Sequence, residues 1–271
     1  MSMEPEETSK QRRVGDGQVH LPRLADVVAD RIRELVLEGE LKDGERLPPL
    51  DALLDQFRVS GPSMREALRV LEAEGLIEVQ RGSIGGAVVH RPNARMAAYT
   101  IALVLRSGGT SKGDVAEALA MLERLCGMAC ARRSDRESTV VRELRAINAK
   151  ARNLADGDEL TFNDAMLEFH TTLVQRCDND TLRLLTRALA SIWHADMRTW
   201  VTSTVWHGKY PKVHGRLAAV EVHEGITELV AAGDEAGVAA AMTTHAEIQR
   251  IYREGVDPDE RVDPRAVRFG R

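Results

Sequence analysis

The first part of the chain, up to about residue 75, carries apolar residues at the three- and four-residue spacing of helices. Three helices are predicted, and their apolar positions are, in order, Leu24, Val27, Val28, Ile32, Leu35 and Val36; Leu50, Leu53, Leu54 and Phe57; and Met64, Leu68 and Leu71. The stretch "LKDGERLPP" separates the first two helices with a glycine and two prolines. Ser60 is a residue type that caps helices, and Pro62 fits the first turn of the third helix, where an N–H is not needed.

Two short stretches rich in β-branched residues follow the third helix. "LIEVQ" and "GAVVH" lie on either side of "RGSIG", a pattern that predicts two strands joined by a glycine turn. Together with the three helices, the hairpin makes a predicted domain that spans residues 21–92. Residues 1–20 are polar and are predicted to form a flexible arm.

The second part of the chain, residues 95–254, shows only helical patterns. Seven helices are predicted, at 95–106, 114–133, 138–155, 159–176, 180–205, 215–232 and 234–253. Breaks such as "SGGTSKGD" and "AAGD" separate them, and "HRPNAR" is the predicted joint between the two domains. Residues 255–271, with two prolines and dense charge, are predicted to form a loose polar tail. The predicted fold class is mainly α, with a helix-and-hairpin domain followed by an all-α bundle.

Composition supports this organisation. A chain of 271 residues suits two domains, and 43% apolar with only 4% aromatic content is typical of a helix-rich protein. The start, "MSMEPEETSK", is too acidic for a secretory signal, and no apolar run is long enough to span a bilayer, so no membrane partner is expected. Cys126, Cys130 and Cys177 lack zinc-knuckle spacing and are expected to be buried thiols in a reducing compartment. A cytoplasmic location is therefore expected.

Charge argues against nucleic-acid binding by the chain as a whole. The net charge is −5, and residues 21–91 hold ten basic and thirteen acidic residues. However, Arg65 and Arg69 lie one turn apart on the exposed face of the third helix, where they can reach a guanine edge or straddle phosphates. The start of that helix at Ser60 offers free N–H groups to a phosphate. The alternative is an ordinary solvated face, and DNA reading requires Arg65, Arg69 and Arg81 to face one way.

The string "GERLPPLDALLDQFRVSGPSMREALRVLEAEGLIEVQRG" resembles the winged helix-turn-helix of GntR-family bacterial transcription regulators. The resemblance covers the whole first domain and keeps the "LP" turn, the "VS" cap, "REAL" and "LEAEGLI" in order. It implies that the third helix enters the major groove of DNA and that the hairpin wing approaches the minor groove. The implied DNA contacts are Ser60, Ser63 and Arg65 on the helix and Arg81 and Gly82 at the wing tip, and Arg69 joins them through its spacing.

Two positions depart from this family pattern. Family members commonly carry an arginine where this chain has Asp51, and another where it has Gly61. A carboxylate facing phosphate repels it, and a glycine removes one guanidinium from the start of the helix. We therefore expect DNA binding through fewer contacts than is usual in the family.

The second domain resembles the all-helical effector domain of the FadR-type branch of the same family. The resemblance rests on "MLERLCGMACARR", "FHTTLVQRCDNDTL" and "VHEGITELVAAGDEAGVAAAMTTH". It implies a site for a small-molecule effector and a homodimer. It also places His170, His223 and His245 on the three positions whose histidines bind a metal ion inside the bundle, although each histidine alone is more simply a core or surface residue.

Two further departures concern this pocket. The position one helical turn before His170, where the family normally has an aspartate ligand, is Met166, and a position that often holds an arginine is Leu119. Because a thioether is a poor ligand for zinc, we expect a zinc-like divalent metal to bind weakly or substoichiometrically. The predicted effector pocket, comprising Leu119, Met166 and the three histidines, is apolar, which favours a fatty acid or an acyl thioester as the effector.

Three functional hypotheses follow. The first is a homodimeric DNA-binding regulator, most simply a repressor, that reads a palindromic operator and responds to an effector. The second is a metal-dependent enzyme built on the three histidines, although the sequence shows no carboxylate pair or nucleophile–base pair beside them. The third is a regulator that has lost DNA binding and acts through protein contacts, and its support is Asp51, Gly61 and the excess of acidic over basic residues in the first domain. We predict the first, and therefore no enzymatic activity.

Overall fold

The computed structural model describes residues 23–80, 86–195, 197–252, 257 and 259–269. The chain divides into two compact units, Met1–Pro92 and Asn93–Arg271. Helices dominate both units, as predicted from the sequence. Among the described residues, no helix combines the length and the apolar character needed to cross a membrane.

The first unit contains three helices and one antiparallel hairpin. Its elements are α1 (Leu24–Glu38), α2 (Leu50–Phe57), α3 (Gly61–Ala73), β1 (Ile77–Gln80) and β2 (Gly86–Val89). The strands pair in the register Ile77 opposite Val89. The chain leaves α1 through Gly39, whose φ of 82° is the left-handed conformation that glycine adopts without steric strain.

The core of the first unit lies between α1, α3 and the hairpin. Ile32, Val36, Met64, Leu71 and Val89 are fully or almost fully buried there, and they come from the apolar positions that the helical and strand patterns predict. An ion pair ties α1 to the end of α3, because the Arg33 guanidinium donates to both carboxylate oxygens of Glu74, at 2.9 Å and 2.7 Å. This packing holds α3 with its opposite face exposed.

The second unit is entirely helical within the described residues. Its helices are α4 (Ala94–Ser107), α5 (Lys112–Arg132), α6 (Arg142–Asn153), α7 (Glu159–Arg176), α8 (Asp180–His194), α9 (Met197–Trp206), α10 (Val213–Ala232), α11 (Glu235–Tyr252) and α12 (Pro264–Phe269). A π-helical turn, Glu137–Val141, leads into α6. Helix α5 packs against α7, α8, α10 and α11 and is therefore the central helix of the bundle.

Side-chain caps explain where several of these helices begin. Asn93, Ser111, Asp158 and Asn179 each accept a hydrogen bond from a backbone N–H in the first turn of α4, α5, α7 and α8, respectively. Such a cap satisfies one of the donors that a helix start leaves without a partner.

Seven helices were predicted over residues 95–254, and eight α-helices, α4–α11, are present among the described residues of that range. The single helix predicted at 180–205 is two helices, with α8 ending at His194 and α9 beginning at Met197. The "HADM" sequence there contains neither glycine nor proline, and the sequence therefore gave no signal for the interruption.

The prediction of a loose tail at 255–271 was also wrong for the part that the structure describes. Val262 and Val267 are buried against α4 and α8, and the backbone N–H of Lys112 donates to the carbonyl of Glu260 at 2.7 Å. The two valines and the short helix α12 supply enough apolar surface to dock this segment despite its charged residues.

The three cysteines are buried, free thiols. Burial raises the pKa of the Cys126 thiol to about 12, and burial also raises the pKa of Cys130. The thiolates of Cys126 and Cys130 do not form near neutral pH, so these two side chains act as small apolar residues of the core.

Candidate functional site

The start of α3 is an ordered, exposed helix N-terminus. The Ser60 hydroxyl oxygen accepts a hydrogen bond from the Ser63 backbone N–H at 3.4 Å, and the two hydroxyl oxygens lie 3.0 Å apart. Ser60 is exposed, and Ser63 is partly exposed. The two hydroxyls and the neighbouring N–H groups therefore form a polar surface of the kind that binds a phosphate.

Arg65 and Arg69 lie on the exposed face of α3, but their side chains differ in their partners. The Arg69 guanidinium donates to the Glu66 carboxylate at 2.7 Å, so its charge is already paired within the helix. Among the described residues, no carboxylate forms an ion pair with Arg65. The guanidinium of Arg65 lies over Gly61, 3.1 Å from the point where a Cβ of that residue would stand. Because residue 61 is a glycine without a Cβ, the Arg65 side chain has room to lie against it.

The other predicted DNA contacts fall on the wing. Arg81 and Gly82 lie outside the described residues, so their roles stay predictions. At the last described residue of β1, the Gln80 side-chain oxygen accepts a hydrogen bond from Arg46 at 2.9 Å. Asp51 is exposed in the first turn of α2, where a carboxylate stabilises the helix through the helix dipole.

The three predicted metal ligands of the second unit come together in the core. His170 is on α7, His223 on α10 and His245 on α11, and each is no more than 6% exposed. The Nε2 atom of His245 lies 3.3 Å from that of His223 and 3.2 Å from that of His170. Phe169 stacks on the His223 ring with the centroids 3.9 Å apart, which fixes the orientation of that imidazole.

These distances fit a metal ion better than a hydrogen-bonded histidine cluster. A neutral imidazole nitrogen either donates one hydrogen bond or accepts one, so Nε2 of His245 cannot satisfy both neighbours. Nitrogen ligands at 2.0–2.1 Å from a tetrahedral zinc ion stand about 3.3 Å apart, and the two Nε2–Nε2 distances from His245, 3.2 Å and 3.3 Å, agree with this spacing. Burial and the neighbouring imidazoles His170 and His245 lower the pKa of His223 well below its ordinary value, so His223 is neutral, as a metal ligand must be.

A buried carboxylate that sequence reasoning missed lies beside this cluster. Oε2 of Glu123, on α5, is 3.2 Å from Nδ1 of His170, and only 13% of the Glu123 side chain is exposed. Burial by itself raises the pKa of Glu123, but the electrostatic effect of the neighbouring His170, with smaller effects of His194 and His245, lowers this pKa below its ordinary value. Glu123 is a single carboxylate and not a carboxylate pair, and it was not among the predicted residues of the pocket.

Helical periodicity contained the signal for Glu123. The buried residues of α5 include Leu119 and Cys126, and Glu123 lies four residues after the first and three before the second. Its position is thus on the buried face of the helix, inside the largely apolar sequence "LAMLERLCGMAC". A carboxylate at such a position requires a partner.

The two apolar substitutions in the predicted pocket have ordinary packing partners. Met166 packs in a cluster with Phe162, Val220 and Tyr210, one turn from His170 along α7. Leu119 is buried on α5, one turn before Glu123. Met166 is only partly buried, and neither residue brings a charge toward the histidines.

The first unit has three helices around one core, a two-stranded hairpin and an exposed face on α3, and this arrangement defines a winged helix-turn-helix. The second unit is a helical bundle with a buried cluster of three histidines. Residues 24–88 match the family described as bacterial regulatory proteins, gntR family, and residues 114–248 match the FCD domain. The chain belongs to the GntR family of transcription regulators. These two domains are those of a regulator that binds DNA and a small-molecule effector, and not those of an enzyme.

Individual relatives agree. The chain is 28% identical to the HTH-type transcriptional regulator LutR of Bacillus subtilis (strain 168), over 78% of this chain and 92% of that protein. It is 27% identical to the Uxu operon transcriptional regulator of Escherichia coli (strain K12), over 64% of this chain and 66% of that protein. A solved structure of Streptococcus agalactiae GntR superposes with a TM-score of 0.60 at 18% identity, covering 85% of this chain and 100% of that one. That last likeness concerns the fold alone.

Proposed function

We propose that the chain acts in the cytoplasm as a homodimeric repressor that reads a palindromic operator with α3 and leaves it when an effector binds at the histidine cluster. The convergence of three buried imidazole Nε2 atoms within the effector-type domain carries the proposal. A short helix contacts only a few base pairs, so two half-sites read by two copies supply the remaining specificity.

On the DNA side, Arg65 is the proposed base reader, and Ser60 and Ser63 are proposed phosphate contacts. The Arg65 guanidinium has no carboxylate partner among the described residues and can turn to a guanine edge without breaking an ion pair. Arg69 must first break its 2.7 Å hydrogen bond to Glu66, and this loss reduces the free energy that a DNA contact of Arg69 contributes to binding. The wing residues Arg81 and Gly82 complete the proposed surface.

The test is a titration of the protein with the DNA upstream of its own coding region, located by footprinting. Arg65→Ala should weaken binding to the footprinted site by about 1–3 kcal/mol, which is the worth of a bidentate base contact. Arg69→Ala removes the same charge and is the matched control, with a smaller expected loss. Equal losses, or an unchanged affinity of Arg65→Ala, contradict the assignment. Failure of the unmodified protein to bind any DNA instead supports the alternative of a regulator that acts through protein contacts.

In the helical domain, His170, His223 and His245 would hold a divalent metal ion of the zinc type. Such an ion would supply a Lewis-acid centre to which a carboxylate or carbonyl oxygen of the effector can bind. The three histidines leave a coordination position for that group, because Met166 adds no charged ligand. We propose an effector with one carboxylate or thioester oxygen at the metal and an apolar body against Leu119 and Met166, such as a fatty acid or an acyl thioester.

Effector release is tested on the footprinted operator with zinc-loaded protein. A long-chain carboxylate should dissociate the complex at a concentration at which acetate, which lacks the apolar body, does not. Equal responses to both compounds contradict the apolar pocket. His223→Ala should abolish the response while the metal-free protein still binds the operator, whereas a response that survives His223→Ala places the effector elsewhere.

A further inference from the structure

We propose that Glu123 is the carboxylate that orients His170 and balances the charge of the metal site, in place of the ligand that Met166 cannot supply. This inference rests on the proposed metal site and assigns a positioning role to a residue outside the three-histidine set. It makes the site a metal centre with three neutral protein ligands and one anionic outer partner.

The contact geometry separates the two faces of the His170 ring. Nε2 of His170 faces His245 at 3.2 Å, whereas Nδ1, on the other side of the ring, lies 3.2 Å from Oε2 of Glu123. A carboxylate this close to Nδ1 favours the tautomer that carries its proton there, in which Nε2 would present a lone pair to the metal. Glu123 therefore cannot be the fourth ligand through this contact and acts through His170.

Both partners of this contact are largely buried. Only 8% of the His170 side chain and 13% of the Glu123 side chain are exposed, so solvent screens their interaction little. A divalent ion held by three neutral imidazoles brings two positive charges into the bundle, and the Glu123 carboxylate offsets one of them. Metal binding should consequently be tighter than the absence of an aspartate at Met166 implies.

The experiment measures zinc affinity by competition with a chromophoric chelator, and the visible spectrum of the cobalt-loaded protein. Glu123→Gln keeps the size of the side chain and removes its charge, and it should weaken zinc binding about 10- to 100-fold and alter the cobalt spectrum. The matched control is Glu168→Gln, which removes an exposed carboxylate of α7 that pairs with Lys150 and should leave both readouts unchanged. A purely structural role for Glu123 would lower thermal stability without changing the cobalt spectrum.

A second variant keeps the proposal falsifiable if Glu123→Gln folds poorly. Met166→Asp places a carboxylate one turn before His170 and should raise zinc affinity by itself and recover most of the loss in the double variant with Glu123→Gln. Unchanged zinc affinity in Glu123→Gln, or no recovery in the double variant, overturns the role of Glu123 and leaves the three-histidine site standing. If the unmodified protein binds no zinc, that result contradicts both the proposed metal site and the proposed role of Glu123.

Discussion

Gly61 shows how one residue changes the contacts available to its neighbour. Because position 61 has no Cβ, the Arg65 guanidinium lies 3.1 Å from the point that a Cβ would occupy. A larger residue there would displace that side chain from the start of α3. This chain lacks the arginine that family members commonly have at position 61. The Arg65 guanidinium instead lies close to the N-terminus of α3, the part of a recognition helix that contacts DNA.

Asp51 is the residue at which a single change should strengthen DNA binding. Its carboxylate is exposed in the first turn of α2, at a position where the family resemblance places an arginine. Asp51→Arg should tighten binding to operator and unrelated DNA alike, and should steepen the dependence of log affinity on log salt by about one. Titrations at several salt concentrations measure this slope. Asp55→Arg, an equal charge change on an exposed residue one turn further along α2, is the control, and an equal effect from both would point to net charge alone.

At the scale of elements, the buried Arg216 side chain connects the start of α10 to the start of α7 and to the loop that precedes α7. Its guanidinium donates to the carbonyls of Pro211, Ala155 and Gly157 and to the Glu159 carboxylate, at 2.7–3.3 Å. The guanidinium carbon also lies 5.2 Å from the Tyr210 ring centroid. One side chain therefore satisfies three carbonyl groups that no helix hydrogen bond serves.

Arg216→Met should lower the free energy of unfolding by about 3 kcal/mol, because these carbonyls and Glu159 lose their donor. The control is Arg145→Met, which removes exposed ion pairs with Glu228 and Glu137 and should change stability little. Urea denaturation of both variants provides the comparison. Similar losses of unfolding free energy in the two variants would mean that the burial of Arg216 does not add to its stabilising effect.

The segment at 257–269 is a second element whose docking is testable. Val262 is 1% exposed and lies in a cluster with residues of α4 and α8. Val262→Ala should cost about 2 kcal/mol of stability, from the lost apolar burial and the cavity left behind. Val213→Ala, the same change at a valine that is 42% exposed, should cost much less. A loss at Val262 no larger than at Val213, measured by urea denaturation, would show that the segment is undocked in solution.

The elements also show which features the sequence could predict. The three helices and the hairpin of the first unit follow from apolar periodicity, and Ser60 caps α3 as its residue type indicates. The break between α8 and α9 and the docking of α12 depend on tertiary packing, which short polar or charged segments do not reveal. Glu123 lay on a predictable helix face, but its partner His170 comes from another helix, and only the folded bundle brings the two together.

At the scale of the whole molecule, exposed apolar side chains indicate the surface through which the proposed homodimer would form. Helix α8 packs against both α4 and α5, and all three helices carry large apolar side chains that are at least 45% exposed in the single chain. These side chains are Leu103, Val104, Met121, Leu125, Leu184 and Leu185. Apolar residues concentrated on neighbouring helices are typical of an interface, because each copy can cover those of the other.

We therefore expect the helical domain to form the dimer through α4, α5 and α8. The double variant Leu184→Asp and Leu185→Asp should sediment as a monomer at micromolar concentration, since four carboxylates would be desolvated in a symmetric interface. A monomer reads one half-site at a time, so its affinity for the footprinted palindrome should fall by 100-fold or more, to about that for an isolated half-site. Val213→Asp, at an exposed valine of α10, should remain dimeric and bind the operator normally. A double variant that stays dimeric would place the interface elsewhere. A footprint without two-fold symmetry on the unmodified protein would contradict the dimeric mode of reading itself.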